Sequence, residues 1–275
     1  MRYVIGFFQG IVLGLTIIVV YTGCSPNNVK IDNSLKTFFD DNKVTGCFAL
    51  LDNGSGKITV YNLSRYRDSS YLPASTFKIV NSLIGLQIGK ITNDSMIINW
   101  DGQDRGRAEC NRDLSMYQAF RISCAPWYME LARRIGTDTM QSWLDTLSYG
   151  NKTISKIDTF WLDNSLKIKP DEQLGLAKKL YFNQLPFHKM NQETVKKAML
   201  FEDNSNYKLS YKTGWGQTEN GNQLGWIVGW IEENKHPYFF VLNIESPDAD
   251  FDMIGTRMKM LKSILKEYEF LEGKR

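Results

Sequence analysis

The chain has 275 residues, of which 43% are hydrophobic and 23% charged, and its formal net charge is +3. This length and apolar content suffice to bury a full-sized hydrophobic core. The lysines are scattered rather than gathered in a basic stripe, which argues against nucleic acid as a partner and favours a small-molecule site.

The first 23 residues have the features of an export signal. Arg2 is followed by an apolar run from Val4 to Val20 and then by small and polar residues, which is the order found in secretory signals. We predict that residues 1–23 are a signal peptide and that the protein is exported to the periplasm. The sequence Gly23-Cys24-Ser25 resembles a bacterial lipoprotein processing site, which would attach a lipid to Cys24. Conventional cleavage and an uncleaved membrane anchor are the alternatives.

The exported chain would hold three further cysteines, Cys47, Cys110 and Cys124. In a compartment that permits disulfides they allow at most one internal bridge, and three unbonded buried thiols are the alternative. The two histidines, His188 and His236, lack the spacing of metal ligands, and no CxxC pair occurs. We therefore expect no metal site.

In chain order, the predicted elements begin with a short helix over Asn33–Asp40 and a β-hairpin over Gly46–Asn62. The hairpin consists of two apolar, β-branched runs joined by a turn rich in Asn and Gly. A helix is predicted over Ser75–Leu86. From about residue 93 to residue 197, helical patterns alternate with polar loops and little strand pattern occurs, which predicts a mostly helical lobe.

Strand patterns return in the last third of the chain. Residues 206–214 are predicted as one strand, and residues 224–244 contain two aromatic and β-branched runs separated by a polar turn. The segment Thr256–Phe270 is an amphipathic helix pattern. Strands at both ends with helices between them predict an α+β fold, in which an antiparallel β-sheet is flanked by helices and carries the inserted helical lobe. We expect residues 24–275 to form a single domain.

The first chemistry-bearing pair is Ser75 and Lys78. The Ser-x-x-Lys spacing alone is a weak signal, because it recurs twice elsewhere in this chain. Pro73, however, marks a helix start just before Ser75, so the two side chains would lie on the same face, one turn apart. An N-cap serine with a solvated lysine is the alternative interpretation.

Two further motifs follow along the chain. Ser123 lies in the stretch FRISCAPW, and Lys212-Thr213-Gly214, followed by Trp215, ends a predicted strand. A serine–lysine pair, a second serine and a strand-borne Lys-Thr-Gly together form the signature of penicillin-recognising acyl-transfer enzymes.

With these motifs the sequence resembles the class D β-lactamases, or oxacillinases. The resemblance runs from about Cys47 to the last helix. The stretches that match, in the family's order, are Ser75-Thr76-Phe77-Lys78, Ser123, Tyr149-Gly150-Asn151, Phe160-Trp161-Leu162, Lys212-Thr213-Gly214 and Arg257. Class A enzymes have Ser-Asp-Asn as their second element, and this sequence contains none. The resemblance implies the serine β-lactamase fold and a hydrolase that opens β-lactam antibiotics and confers resistance to them.

The resemblance also implies a role for each site residue. Ser75 would be the nucleophile and Lys78 its general base, carboxylated by carbon dioxide to N6-carboxylysine, with no other cofactor. The indole N–H of Trp161 would stabilise that carbamate. Ser123 and Lys212 would carry a proton to the leaving nitrogen of the lactam.

The remaining implied roles concern substrate binding. Thr213 and Arg257 would bind the substrate carboxylate, the arginine through its planar fork. The backbone N–H groups of Ser75 and Trp215 would form the oxyanion hole. Gly214 would let the strand approach the substrate closely.

The sequence departs from the family pattern at two places. Ala125 stands where the family usually has a valine that shields the carbamate from water. Glu109-Cys110-Asn111 stands where the family often has an aromatic residue before the Arg-Asp pair. The Tyr149-Gly150-Asn151 stretch, which matches the family, is expected to fix a loop at the rim of the site. The departures bear on rate and substrate range rather than on the reaction.

Two other functions are compatible with the same motifs. A non-hydrolytic penicillin sensor shares the fold and the motif set, and a cell-wall D,D-peptidase uses the same acyl-transfer chemistry. The sequence leaves open which β-lactams are preferred and whether the protein is a monomer or a homodimer.

Overall fold

The computed structural model describes residues 28–275. The predicted signal peptide and Cys24 lie outside the described residues. Within residues 28–275, no helix is long and apolar enough to cross a membrane.

The described part of the chain forms nine strands. They are β1 (Val29–Ile31), β2 (Thr45–Asp52), β3 (Ile58–Tyr61), β4 (Ile97–Ile98), β5 (Leu114–Ser115), β6 (Leu200–Asp203), β7 (Lys208–Gln217), β8 (Gln223–Glu233) and β9 (His236–Ser246). Seven of them make one sheet in the order β1-β3-β2-β9-β8-β7-β6, and β4 pairs with β5 separately.

The main sheet is antiparallel, as predicted, except at one edge. There β1 pairs in parallel with β3, with Val29 opposite Ile58. Strand β1 is not predicted from the sequence, because a three-residue segment is too short to show the alternation that identifies a strand. The C-terminal hairpin is the longest part of the sheet, and β8 pairs along its length with both β7 and β9.

The same described residues, 28–275, also contain nine α-helices, which flank the sheet. They are α1 (Lys36–Asp41), α2 (Leu63–Asp68), α3 (Lys78–Gln87), α4 (Met116–Arg121), α5 (Ala125–Ile135), α6 (Thr137–Leu147), α7 (Pro170–Tyr181), α8 (Lys189–Met199) and α9 (Met253–Glu267). The helical lobe predicted near residues 93–197 contains α4 to α8 and the β4–β5 pair. The last helix begins three residues earlier than predicted, because the Asp252 side chain accepts a hydrogen bond from Gly255 N–H and caps the helix there.

The helix predicted to start at Ser75 begins at Lys78 instead. The preceding residues, Ala74–Phe77, form a 3₁₀ turn that leads into α3. Short 3₁₀ turns are common at helix N-termini, and the side chains at positions i and i+3 still lie on one side of the chain. The predicted neighbourhood of serine and lysine is therefore kept.

The sheet separates two hydrophobic clusters. Alternate residues of β2 enter different ones, so that Phe48 packs in the cluster with α1 and α9 while Ala49 joins the larger cluster under the helical lobe. The larger cluster includes Phe77 and Trp161. It therefore supports the turn that leads into α3.

Candidate active site

Ser75 and Lys78 meet at the start of α3. Lys78 Nζ lies 2.6 Å from Ser75 Oγ. Ala74, directly before the serine, has a φ of 47°, which is a left-handed conformation that residues with a Cβ seldom adopt. Its N–H donates to the Trp161 carbonyl at 3.0 Å. This tertiary hydrogen bond helps to hold the turn in the conformation that brings hydroxyl and amine together.

The Lys78 side chain is completely buried. Burial, and next the positive charge of Arg107, lower the pKa of Lys78 to about 7. Among the residues that the structure describes, no carboxylate forms an ion pair with this amine. Its Nζ instead lies 5.4 Å from the ring centre of Tyr128. Near neutral pH a large share of Lys78 is the neutral amine, which is the state that a base requires.

Trp161 packs against the turn that contains Ser75. Its ring stacks on Phe77, with 5.5 Å between ring centres, and its side chain is fully buried. In the described part of the chain, its Nε1–H finds no hydrogen-bond acceptor. An indole N–H can only donate, so Trp161 offers a buried donor in addition to its packing.

Ser123 and Lys212 form a second serine–lysine pair. Ser123 lies between α4 and α5, and Lys212 lies in β7, 89 residues further along the chain. Lys212 Nζ donates to Ser123 Oγ at 2.9 Å and to the Thr213 carbonyl at 3.1 Å. Burial, followed by the charges of Lys78 and Arg257, holds the pKa of Lys212 well below its ordinary value. The structure thus brings together two motifs that are distant in sequence.

Gly214 allows β7 to pack against the turn that contains Ser75. A Cβ at this position would lie 3.0 Å from the Pro73 carbonyl oxygen and 3.2 Å from side-chain atoms of Thr76 and Trp226. These distances are shorter than ordinary contacts. The close approach in the structure is therefore to the turn that contains Ser75, and it brings β7, with Lys212 and Thr213, against that turn.

Arg257 is not a surface arginine. Its side chain is only 7% exposed, and its guanidinium donates to the Gly214 carbonyl. Burial lowers its pKa to about 10. Trp215, the next residue of β7, is 47% exposed, and its indole donates to Gln223 Oε1 at 2.7 Å. A buried cation from α9 thus contacts β7 at Gly214, one residue before the exposed indole of Trp215.

The Tyr149-Gly150-Asn151 stretch holds the loop that follows Trp161. Asn151 Nδ2 donates to the Ser165 carbonyl at 2.8 Å, and Asn151 Oδ1 accepts from Lys167 N–H at 2.9 Å. Gly150 has a φ of 53°, and a Cβ there would collide with the Lys167 carbonyl. These contacts fit a structural role at the rim.

A disulfide joins Cys110 to Cys124, with 5.8 Å between their Cα atoms. The three cysteines allowed either one bridge or none, and the structure contains one. Cys47 is the free cysteine of the three, and burial raises its thiol pKa to about 12. The bridge ties the loop before β5 directly to the residue that follows Ser123.

One residue of the site, Arg107, is not predicted by the sequence patterns. It precedes a short 3₁₀ turn over Ala108–Cys110, in a polar loop without periodicity. Its charge contributes to lowering the pKa of both Lys78 and Lys212. Arg107 and Arg257 make the site cationic, which suits an anionic substrate. Within residues 28–275, no three acidic, histidine or cysteine side chains cluster as metal ligands would.

Comparison with known proteins connects this geometry to a family. The family described as penicillin binding protein transpeptidase domain matches residues 46–266. The chain is 37% identical over 241 residues to β-lactamase OXA-48 of Klebsiella pneumoniae, and the match covers 87% of this chain and 89% of that protein.

Solved structures give the same result. The class D β-lactamase from Sebaldella termitidis matches with a TM-score of 0.84 at 30% identity, covering 89% of this chain and 100% of that one. The C-terminal domain of the Bacillus licheniformis BlaR penicillin receptor matches with a TM-score of 0.82 at 32% identity, covering 87% of this chain and 96% of that one.

Proposed function

Because the chain belongs to the class D β-lactamase family, we propose that it hydrolyses β-lactam antibiotics through an acyl-enzyme on Ser75 and thereby confers resistance to them. The observation that carries this proposal is the 2.6 Å contact between Ser75 Oγ and Lys78 Nζ. A serine hydroxyl is a weak nucleophile on its own, and an adjacent base that takes its proton activates it.

The two serine–lysine pairs have different roles. Ser75 and Lys78 carry out acylation, and Ser123 and Lys212 protonate the leaving nitrogen. Ser75 Oγ bonds to the lactam carbonyl carbon while its proton passes to the base at Lys78. The ring C–N bond then breaks, and the leaving nitrogen takes a proton from the Ser123 hydroxyl, which Lys212 replaces. The base at Lys78 gives up the proton it took, and Lys212 regains one through solvent. Water then attacks the Ser75 ester carbon while Lys78 takes a proton from it and returns that proton to Ser75 Oγ, which leaves as the opened product is released.

We propose further that Lys78 is carboxylated. Addition of carbon dioxide requires a neutral amine, and the lowered pKa of Lys78 supplies one near neutral pH. The buried Trp161 N–H, which has no acceptor in the described part of the chain, fits as a donor to an anionic oxygen. The carbamate would supply an anionic base for acylation and for activation of the hydrolytic water.

The substrate carboxylate would bind at Thr213 and Arg257. Arg257 is fixed by its contact with the Gly214 carbonyl, so its guanidinium is held beside β7 without further ordering. The N–H groups of Ser75 and Trp215 would form the oxyanion hole. One such donor lowers the activation free energy by about 3 kcal/mol.

Steady-state hydrolysis of a chromogenic cephalosporin by the purified protein tests this function. Continuous turnover that the Ser75→Ala variant lacks supports it. Absence of turnover by the wild-type protein over a panel of penicillins, cephalosporins and carbapenems would refute it.

A penicillin sensor is the second candidate, and the similarity to the BlaR receptor domain favours it. Sensor and hydrolase share acylation and differ in deacylation. One equivalent of opened cephalosporin followed by no further release, with a stable acyl adduct in the intact mass, would identify the sensor.

We also propose that the protein is exported to the periplasm and that Cys24 carries a lipid. The support is the basic and apolar start of the chain and the Gly23-Cys24-Ser25 sequence. Mass spectrometry of the N-terminus from cells tests this. A lipid-modified Cys24 supports the anchor, and a free terminus at or beyond Ser25 would refute it.

A further inference from the structure

We propose that Arg107 is a positioning residue that holds the Ser123 hydroxyl against Lys212. The proposal deepens the proposed function and rests on it, because Ser123 and Lys212 form the proton path of that reaction. Neither the motifs nor the family comparison points to this arginine.

The guanidinium of Arg107 clamps two successive carbonyls. Its Nη1 donates to the Ser123 carbonyl at 3.2 Å and its Nη2 to the Ile122 carbonyl at 2.9 Å. Nε and Nη2 also donate to Glu109 Oε1, which fixes the plane of the fork. Arginine can bind several acceptors at once because its donors lie in a rigid plane.

Ser123 needs such support because its backbone is strained. Its φ is 58°, in the left-handed region. A residue with a Cβ in a sparsely populated conformation costs about 1–3 kcal/mol and persists only where its surroundings hold it. In this conformation Ser123 Oγ lies 2.9 Å from Lys212 Nζ. The strain and the reactive contact therefore occur at the same residue.

The same short segment holds the Ser123 region at two points. Arg107 binds the carbonyls of Ile122 and Ser123, and Cys110, three residues later, forms the disulfide with Cys124. Removal of the arginine leaves the covalent link in place. Substitution of Arg107 should therefore disturb the serine without unfolding the segment.

The charge of Arg107 gives a second, separable effect. The cation lowers the pKa of Lys78, whose other titratable neighbours, besides the hydroxyl of Ser75, are the Tyr128 ring and the amine of Lys212. Glu109 partly offsets that charge through its ion pair. The Arg107 side chain is also 43% exposed, so dissolved salt weakens the effect of its charge on the Lys78 pKa. Loss of the charge should raise the Lys78 pKa and move the acid limb of the reaction to higher pH.

The test measures the rate of Ser75 acylation by a fluorescent penicillin across a pH series. The variants are Arg107→Gln, which loses charge and fork, and Arg107→Lys, which keeps only the charge. The matched control is Arg105→Gln, because Arg105 lies in the same loop and pairs with Asp101.

We expect Arg107→Gln to acylate about tenfold more slowly or worse, which corresponds to losing hydrogen bonds from a charged donor, and to shift the acid limb to higher pH. Arg107→Lys should keep the limb in place but recover the rate only in part. Arg105→Gln should match the wild type. Equal rates in Arg107→Gln and Arg105→Gln, or a rate loss that follows only the unfolded fraction, would overturn the proposal. Because acylation alone is read, a protein that is acylated but never turns over would refute the proposed hydrolysis and still report on Arg107.

Discussion

Lys78 Nζ and Ser75 Oγ lie 2.6 Å apart, and the lysine that makes this contact has no exposed surface. Water would stabilise its ammonium form, and burial removes that stabilisation. A residue that is ordinarily a surface cation is thus converted to a neutral amine, the form that the proposed role as a base for the adjacent hydroxyl requires. The same burial determines both the pH at which Lys78 becomes neutral and the cost of this lysine to the stability of the fold.

Substitution of the two residues should separate the two half-reactions. Ser75→Ala removes the atom that forms the ester, so no acyl adduct should form. Lys78→Ala removes the base, so slow acylation should remain while the adduct accumulates. Intact mass spectrometry after mixing with penicillin measures both. Normal hydrolysis by either variant would contradict the assigned roles.

The rate of hydrolysis should fall as the pH drops below about 7, because protonation of Lys78 removes the neutral amine. Added bicarbonate should move this midpoint to lower pH, since carbamate formation withdraws the neutral amine from the equilibrium. Rate measurements across pH at two bicarbonate concentrations test this. A midpoint that does not respond to bicarbonate would argue for an uncarboxylated lysine.

Lys78→Met should stabilise the fold while it abolishes activity. The pKa of Lys78 is lowered from 10.5 to about 7 on folding, so the unfolded chain binds more protons across this interval and the wild type gains stability as pH rises through it. The advantage of Met should therefore be largest at or below neutral pH and shrink toward pH 10.5. In bicarbonate-free buffer the thermal midpoint should rise by about 2–4 °C per kcal/mol gained. A lower midpoint for the variant at neutral pH would contradict this.

Trp161→Phe should raise the bicarbonate concentration needed for half-maximal activity. Phe keeps the ring against Phe77 but removes the N–H, and a hydrogen bond to a charged group contributes about 1.5–3 kcal/mol, or at least tenfold in affinity. The control is Trp226→Phe, because that indole donates to the Leu72 carbonyl instead. The control should lose stability with an unchanged bicarbonate response. Equal bicarbonate responses in the two variants would contradict a role for Trp161.

Loss of the Cys110–Cys124 bridge should lower stability. The bridge spans a sequence separation of 14 residues, for which loop closure predicts about 3 kcal/mol. The double variant Cys110→Ser/Cys124→Ser should melt at lower temperature, and a reductant should lower the wild-type midpoint to a similar value. The reductant should have no further effect on the double variant. An unchanged wild-type midpoint under reduction would show that the bridge is not formed in solution.

The parts of the site that the sequence predicts are local or match a motif. The Ser75–Lys78 contact follows from three residues of spacing at a helix start, whichever form of helix the turn takes. The Ser123–Lys212 contact spans 89 residues, and no periodicity encodes it. It could be expected only because the order of motifs resembles that of a known family.

The parts that the sequence does not predict depend on irregular backbone. Arg107 and Cys110 lie in a polar loop, where neither the hydrophobic pattern nor residue propensity indicates which way a side chain points. The left-handed conformations of Ala74 and Ser123 are likewise invisible in sequence, since alanine and serine are not residues that favour them. Tertiary hydrogen bonds stabilise these backbone conformations, and such bonds appear only in the folded chain.

Recovery of activity with bicarbonate tests the proposed role of Lys78 most directly. The protein is held below the Lys78 pKa of about 7 in carbon-dioxide-free buffer, returned to neutral pH, and assayed for cephalosporin hydrolysis before and after bicarbonate is added. A low initial rate that rises to the original value with bicarbonate, and does not rise in Lys78→Ala, is the predicted result. Full activity without bicarbonate, or no recovery when it is added, would contradict a carboxylated Lys78 as the base.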